Sequence, residues 1–177
     1  MGPTGRGTLE HEGLGRRRCI QTFTLSKAFG GYGGVVLGTP ALRRRILARS
    51  KRFVASTPLP LPLASAALEA VEILNHDQAL LQRLRQNTAC VREALRAAGR
   101  SIADTPGPIV SVVPISTQSA GRLRAALLEA GIYPPFIKYP GGPGGGHFRF
   151  AISSEHSRAQ LQQLAETLTG IPGWVAA

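Results

Sequence analysis

Apolar positions recur at helical spacing from about Leu63 to Ala98. Leu68, Val71, Ile73, Leu74, Leu80, Leu81, Leu84, Val91 and Leu95 supply the apolar faces. Asn75-His76-Asp77 is the expected break in this stretch, and Gly99 its stop. Asp104-Thr105-Pro106-Gly107-Pro108 is turn chemistry, and Ile109 to Pro114 is a short strand rich in Val and Ile. Ser119 to Ala130 predicts a helix closed by Gly131. Ile132 to Tyr139 is extended, but Pro134 and Pro135 confine it to an edge or irregular strand. After the loop Gly141-Gly142-Pro143-Gly144-Gly145-Gly146, residues His147 to Ser153 alternate as a strand. A last helix starts at His156 or Ser157 and runs to about Leu168, leaving Trp174 in a short tail. Strand, helix, strand, loop, strand, helix predicts a small α/β layer with its helices on one face.

The earlier part patterns differently. Residues 1 to 18 are Gly- and Arg-rich and read as loop, and residues 19 to 38 as strand, loop, strand. Thr39-Pro40 starts a helix, with Thr as N-cap and Pro at the first helical position. Leu42, Ile46 and Leu47 lie on one side of it, arginines on the other. Residues 55 to 62 carry alternate prolines and are expected to be extended. This third of the chain reads like the late part of a larger sheet.

Composition narrows the function classes. The 43% hydrophobic content suits a globular core. No run approaches the roughly 18 apolar residues of a membrane span, and the first residues lack the apolar segment of a secretory signal. Cys19 and Cys90 form neither a metal-ligand spacing nor a disulfide framework, so no metal is expected and the reducing cytoplasm is the expected compartment. The net charge of +11 sits in Arg16-Arg17-Arg18, in Arg43-Arg44-Arg45 through Arg52, and along later helices. No aromatic residues interleave with these runs, so a solvated Arg-rich surface is the reading, not a nucleic-acid or membrane partner.

Chemistry concentrates at one residue. From Cys19 to Leu42 the only charged side chain is Lys27. A buried ammonium is costly, and desolvation favours the neutral amine that condenses with an aldehyde. Thr22, Thr24 and Ser26 offer hydroxyls to a phosphate, and Gly30, Gly31, Gly33 and Gly34 allow close backbone approach. A P-loop is excluded by order, because its glycines precede the lysine and a Ser or Thr follows, where Ala28 stands here. On composition alone a lysine extending from a strand end to solvent remains the alternative.

The segment Thr22-Phe23-Thr24-Leu25-Ser26-Lys27-Ala28-Phe29-Gly30-Gly31-Tyr32-Gly33-Gly34 resembles the cofactor-lysine segment of the α-oxoamine synthases. These are fold-type I pyridoxal 5'-phosphate (PLP) enzymes of the glycine C-acetyltransferase and 8-amino-7-oxononanoate synthase kind. Three further stretches resemble the family in its own order: Gly5-Arg6-Gly7-Thr8-Leu9-Glu10-His11; Phe53-Val54-Ala55-Ser56-Thr57-Pro58; and His147-Phe148-Arg149-Phe150 followed by Ser153-Ser154-Glu155-His156.

The resemblance implies an α/β fold, the C-terminal part of a fold-type I PLP-dependent transferase. It implies a late portion of the PLP-binding large domain over 1–62, a connecting helical stretch over 63–98 and a small C-terminal α/β domain over 99–177. It implies Lys27 as Schiff-base lysine and base at the substrate Cα, and Thr24 as a hydroxyl on the cofactor phosphate. Ser56 and Thr57 would reach the phosphate of the neighbouring subunit in a homodimer. Arg149 would hold the substrate α-carboxylate, a bidentate task suited to guanidinium. His11 is a candidate for the substrate channel, and His156 is expected to be a helix-start residue. The implied activity is amino acid C-acylation from an acyl-CoA. The alternatives are a class I/II aminotransferase and a non-catalytic fragment or partner subunit. The family's Asp for the pyridinium nitrogen, which makes PLP an electron sink, has no counterpart, since no Asp precedes Asp77. The chain is therefore expected to lack the N-terminal half of the site.

Overall fold

The structure, a computed structural model, describes residues 2–52, 54 and 56–176, apart from the Arg18 side chain. It divides into two compact units, Met1–Gln78 and Ala79–Ala177.

The first unit opens with a short helix, α1 (Thr8–His11), and a 3-10 turn, Arg16–Arg18, where the sequence predicts loop. Strands β1 (Gln21–Thr24) and β2 (Gly34–Leu37) pair antiparallel, from Gln21 opposite Leu37 to Thr24 opposite Gly34. Helix α2 (Pro40–Arg49) starts as its sequence predicts: the Thr39 side chain accepts from Leu42 N at 3.2 Å, and Pro40 occupies the first helical position. Helix α3 (Leu61–His76) begins inside the segment expected to be extended. Pro62 is tolerated there because the first-turn N–H it lacks has no intrahelical acceptor. Asp77 ends α3, and α4 (Gln78–Ala97) resumes at once, so the predicted break falls where Asn75-His76-Asp77 put it. Among the described residues, Leu25 is the one buried hydrophobic side chain of this unit.

The second unit holds most of α4, then β3 (Ile109–Pro114), α5 (Thr117–Glu129), β4 (Phe136–Ile137), β5 (His147–Ala151), α6 (Arg158–Gly170) and β6 (Trp174–Ala176). The four strands form an antiparallel sheet ordered β4-β5-β3-β6. The Trp174 segment, a tail by sequence, pairs with Val112 to Pro114 and forms an edge strand. Helix α5 starts two residues ahead of its expected position. The reason is a reciprocal cap, Ser119 N to Ser116 Oγ and Ser116 N to Ser119 Oγ. Ser157 caps α6 in the same way with Gln160.

Alternation along β3 and β5 decides the faces. Val110, Val112, Phe148 and Phe150 are buried against Val91 and Leu95 of α4, Leu123 and Leu127 of α5, and Leu161, Leu164 and Leu168 of α6. Trp174 closes this core, donating from Nε1 to Leu168 O at 2.9 Å, with the Arg100 guanidinium 4.5 Å over its ring. Arg92 is also buried. Its fork donates to Thr105 O, Thr105 Oγ1, Gly107 O and Ile109 O at 2.7–3.2 Å, tying α4 to the turn that enters β3. Burial lowers its pKa, opposed by the nearby Asp104 carboxylate.

Candidate functional site

Lys27 lies on the connection that leaves β1 at Thr24 and returns to β2 at Gly34. Leu25 N donates to Gly33 O, Gly31 N to Leu25 O, and Gly30 N to Lys27 O, at 2.9–3.0 Å. Gly30 and Gly33 hold φ of 58° and 115°, backbone states a side chain would disfavour. Phe23 and Phe29 stack at 5.7 Å across the turn. The loop is thus closed by its own backbone around Leu25.

The amine itself is exposed, and no partner holds it among the described residues. The sequence suggested a desolvated ammonium. The structure corrects that: the hairpin is covered too little to remove Lys27 from water. Beside it, Thr24 Oγ1 and Ser26 Oγ lie 2.8 Å apart, and Ser26 N donates to Thr24 Oγ1 at 3.2 Å. Thr24 Oγ1 also reaches Gly33 O at 3.3 Å. A free primary amine and an exposed hydroxyl pair on one turn form a donor set for a ligand with an aldehyde and a phosphate.

Ser56 and Thr57 stand exposed on the segment ahead of α3. The Ser56 hydroxyl donates to Arg52 O. Phe53 and Ala55 of the same motif lie outside the described residues. Leu59, three residues on from Ser56, brings this segment to the lysine loop: its Cδ1 lies 3.5 Å from where a Gly33 Cβ would stand. Within the first unit, therefore, the lysine turn and the Ser-Thr segment are neighbours.

Upstream, Glu10 folds the Gly2–Arg6 loop onto α1. Its carboxylate accepts from Thr4 Oγ1 at 2.5 Å, Thr4 N at 3.1 Å and Arg6 N at 3.0 Å. The Thr4 hydroxyl and these amides hold its pKa below the usual carboxylate value. His11 is half-exposed, with Nε2 4.0 Å from the Glu12 carboxylate.

Arg149 belongs to the second unit. It sits on β5 opposite Ser111 of β3, on the face away from Phe148 and Phe150. Its N–H donates to Pro135 O at 3.0 Å, while its guanidinium has no partner among the described residues. His147 shares that face, and its Nδ1 is likewise unpaired. At the entry to β5, Gly146 has φ of 86°, and a Cβ there would stand 2.7 Å from the Phe136 ring. His156 is the turn residue expected of it: Nδ1 accepts from Ser153 N at 3.1 Å.

Among the described residues each unit carries a cleft that is not lined by Lys27, Thr24, Ser56, Thr57 or Arg149. One, about 510 Å³, lies at the far end of the hairpin between Arg16, Arg17 and Thr39. The other, about 350 Å³, lies between Tyr133, Ala151, His156 and Gln163. Sequence reasoning missed Asn87 and Arg92. Neither gives a signal without its tertiary partners.

Comparison with known proteins matches the chain to one family. The model of aminotransferase class I and II matches residues 8–168. A putative 8-amino-7-oxononanoate synthase of Desulforudis audaxviator is 36% identical over 169 residues, 95% of this chain and 44% of that protein. The 8-amino-7-oxononanoate synthase of Anaeromyxobacter dehalogenans is 36% identical over 97% of this chain and 45% of its own length. Among solved structures, 8-amino-7-oxononanoate synthase from Francisella tularensis superposes with TM-score 0.82 at 28% identity, over 96% of this chain and 50% of that one. Serine palmitoyltransferase from S. paucimobilis with bound PLP-myriocin aldimine gives TM-score 0.82 at 27% identity, over 97% and 46%. The chain thus spans about half the length of the curated relatives it matches. Its fold is the fold-type I PLP-dependent one over that part. On the extent of the family match and these identities, the chain belongs to the aminotransferase class I and II family.

Proposed function

We propose that this chain is the C-terminal part of a PLP-dependent amino acid C-acyltransferase, which transfers the acyl group of an acyl-CoA to the Cα of an amino acid and releases CoA, usually with CO2. The observation that carries this reading is the free Lys27 amine beside the Thr24–Ser26 hydroxyl pair, in a chain 36% identical to a putative 8-amino-7-oxononanoate synthase. PLP, when bound, supplies an electron sink for the carbanion at the substrate Cα. Lys27 would hold the cofactor by its amine and would carry the proton to and from the substrate Cα. Thr24 Oγ1 would donate to its phosphate, and Ser56 and Thr57 would donate to the phosphate of a neighbouring subunit in a homodimer. Arg149 grips the substrate α-carboxylate with its guanidinium fork. The work divides among residues 1–62, which carry the lysine and phosphate contacts, the connecting helices of 63–98, and the carboxylate-binding layer of 99–177. The chain spans about half the length of its curated relatives, so activity is proposed for the complete enzyme, in the cytoplasm.

Two other readings are tested beside this one. The family description is that of aminotransferases, which keeps Lys27 in its role and replaces acyl transfer by amine transfer. The other is a non-catalytic fragment or partner subunit. Incubation with PLP, borohydride reduction and peptide mapping are expected to label Lys27. Label elsewhere, or none, sinks the assignment. CoA-thiol release, against keto-acid-dependent amine transfer, separates the two chemistries, and neither activity in the assembled protein leaves the partner reading.

A further inference from the structure

A guanidinium that binds a carboxylate through two parallel hydrogen bonds must be held within about half an ångström of its working position. On the β4 side, β5 is held by Arg149 N donating to Pro135 O at 3.0 Å and by the Phe136–Phe148 pairing, a short contact. The strand follows a glycine-rich loop, residues 141–146, and its β4 neighbour is two residues long. Most of its register comes from the longer pairing with β3, with Ser111 opposite Arg149, and its C-terminal end is held separately. There Ile152 N donates to Pro108 O at 2.8 Å, and the chain turns through residues 153–156 into α6.

That turn is locked to α4 by one side chain. Asn87 Nδ2 reaches Ser153 O at 2.8 Å, His156 O at 3.1 Å and Ser154 O at 3.4 Å. Three carbonyl acceptors around one terminus fix which end of the amide faces the turn. Arg83 on the same helix pairs with Glu155 at 3.3 Å. Within the turn, Ser153 N donates to His156 Nδ1 and Glu155 N to Ser153 Oγ. Asn87 is half-buried, and its amide nitrogen faces these three carbonyls.

We propose that Asn87 is a positioning residue for Arg149: by clamping the carbonyls of the 153–156 turn to α4, it fixes the end of β5 and hence the placement of the guanidinium fork. The inference rests on the carboxylate-binding role proposed above for Arg149. Its chemistry makes a directional claim. Asp at position 87 keeps the volume but turns a donor into an acceptor facing three carbonyl oxygens. It must therefore act at least as severely as Ala, whereas a packing role predicts the milder effect for Asp. Gln keeps the donor and restores part of the function.

The test uses the chain with Asn87→Ala, Asn87→Asp and Asn87→Gln. Hydrogen-deuterium exchange is expected to quicken about tenfold in peptides covering 147–157 for Ala and Asp, less for Gln. Peptides covering 117–129 and 161–168 stay unchanged. Uniform quickening across residues 79–176, no change at all, or an Asp variant matching the wild type overturns the clamp. In the assembled enzyme the amino acid KM is expected to rise about tenfold for Ala and Asp, with kcat and the acyl-donor KM within twofold. A change in kcat alone, or equal changes in both KM values, overturns the link to Arg149. If the wild type shows no acyl transfer, the functional reading fails while the exchange arm still decides the clamp.

Discussion

The two units carry similar amounts of apolar sequence and spend it differently. In residues 79–176, Val91, Leu95, Val112, Leu127 and Leu168 are wholly buried. In residues 2–78, Leu61 is 84% exposed, Leu68 62% and Tyr32 69%, and α3 buries none of its residues. A unit whose helix carries Leu68, Val71, Ile73 and Leu74 on its surface, and whose sheet has two strands, is not a finished hydrophobic layer. The proposed cofactor chemistry lies in this open unit, and the proposed substrate clamp lies in the closed one. Folding energy and the proposed cofactor chemistry are therefore separable along the chain, and substitutions can test that separation.

The largest contrast is expected from one change made twice. Leu168→Ala removes a wholly buried side chain and should cost about 2–5 kcal/mol. Leu68→Ala removes an exposed one and should cost within about 0.5 kcal/mol. Trp174 is the only tryptophan and is 4% exposed, so its fluorescence during denaturant unfolding reads the second unit. Equal losses in the two variants would mean that the two units do not differ in how burial stabilises them.

A polar anchor of the same unit comes next. Arg92→Met keeps the aliphatic stem and deletes the fork that serves Thr105, Gly107 and Ile109. The loss should be about 1.5–3 kcal/mol, the scale of hydrogen bonds to a charged group. Arg92→Lys should recover only part, because one ammonium cannot match a planar fork. The same fluorescence melt checks both. A Met variant as stable as the wild type would mean that desolvation cancels the hydrogen bonds.

What was legible in the sequence was local. Thr39-Pro40, Gly99 and Gly131 mark helix ends through their own backbone preferences, and both glycines take positive φ, 77° and 69°. The lysine turn was legible because its glycines and hydroxyls are contiguous. The Trp174 strand was not, because three residues after Gly173 become a strand only by pairing with β3. Nor was the exposure of Lys27, since a lone charge among apolar residues looks buried until the layer that covers it is counted. Asn87 and Arg92 are ordinary polar positions of an amphipathic helix until residues 105–109 and 153–156 fold back on them. The Arg149 face was legible from alternation alone, for Phe148 and Phe150 had to turn inward.

A smaller effect tests the open unit. Leu68→Lys and Leu61→Lys should reduce binding of a hydrophobic dye such as ANS and leave the Trp174 melt unmoved. Dye binding that follows Phe148→Ala instead would locate the sticky surface in the second unit.

The smallest is a pH effect at the very start of the chain. Glu10 is ionised more readily in the folded loop than its ordinary value of 4.5 allows, chiefly through the Thr4 hydroxyl. A carboxylate held down in this way contributes its stability above the unfolded value. That contribution falls away as pH drops below 4.5 and is gone once pH has passed through the lower folded value. Acid should therefore loosen Gly2–Arg6 before it affects the second unit. In NMR titrations the Thr4 and Arg6 amide signals should move with Glu10. Thr4→Val, which removes the leading hydrogen bond, should raise the Glu10 midpoint toward 4.5 without altering the Trp174 melt. An unchanged midpoint in that variant would mean that the backbone amides of Thr4 and Arg6 suffice to hold the carboxylate.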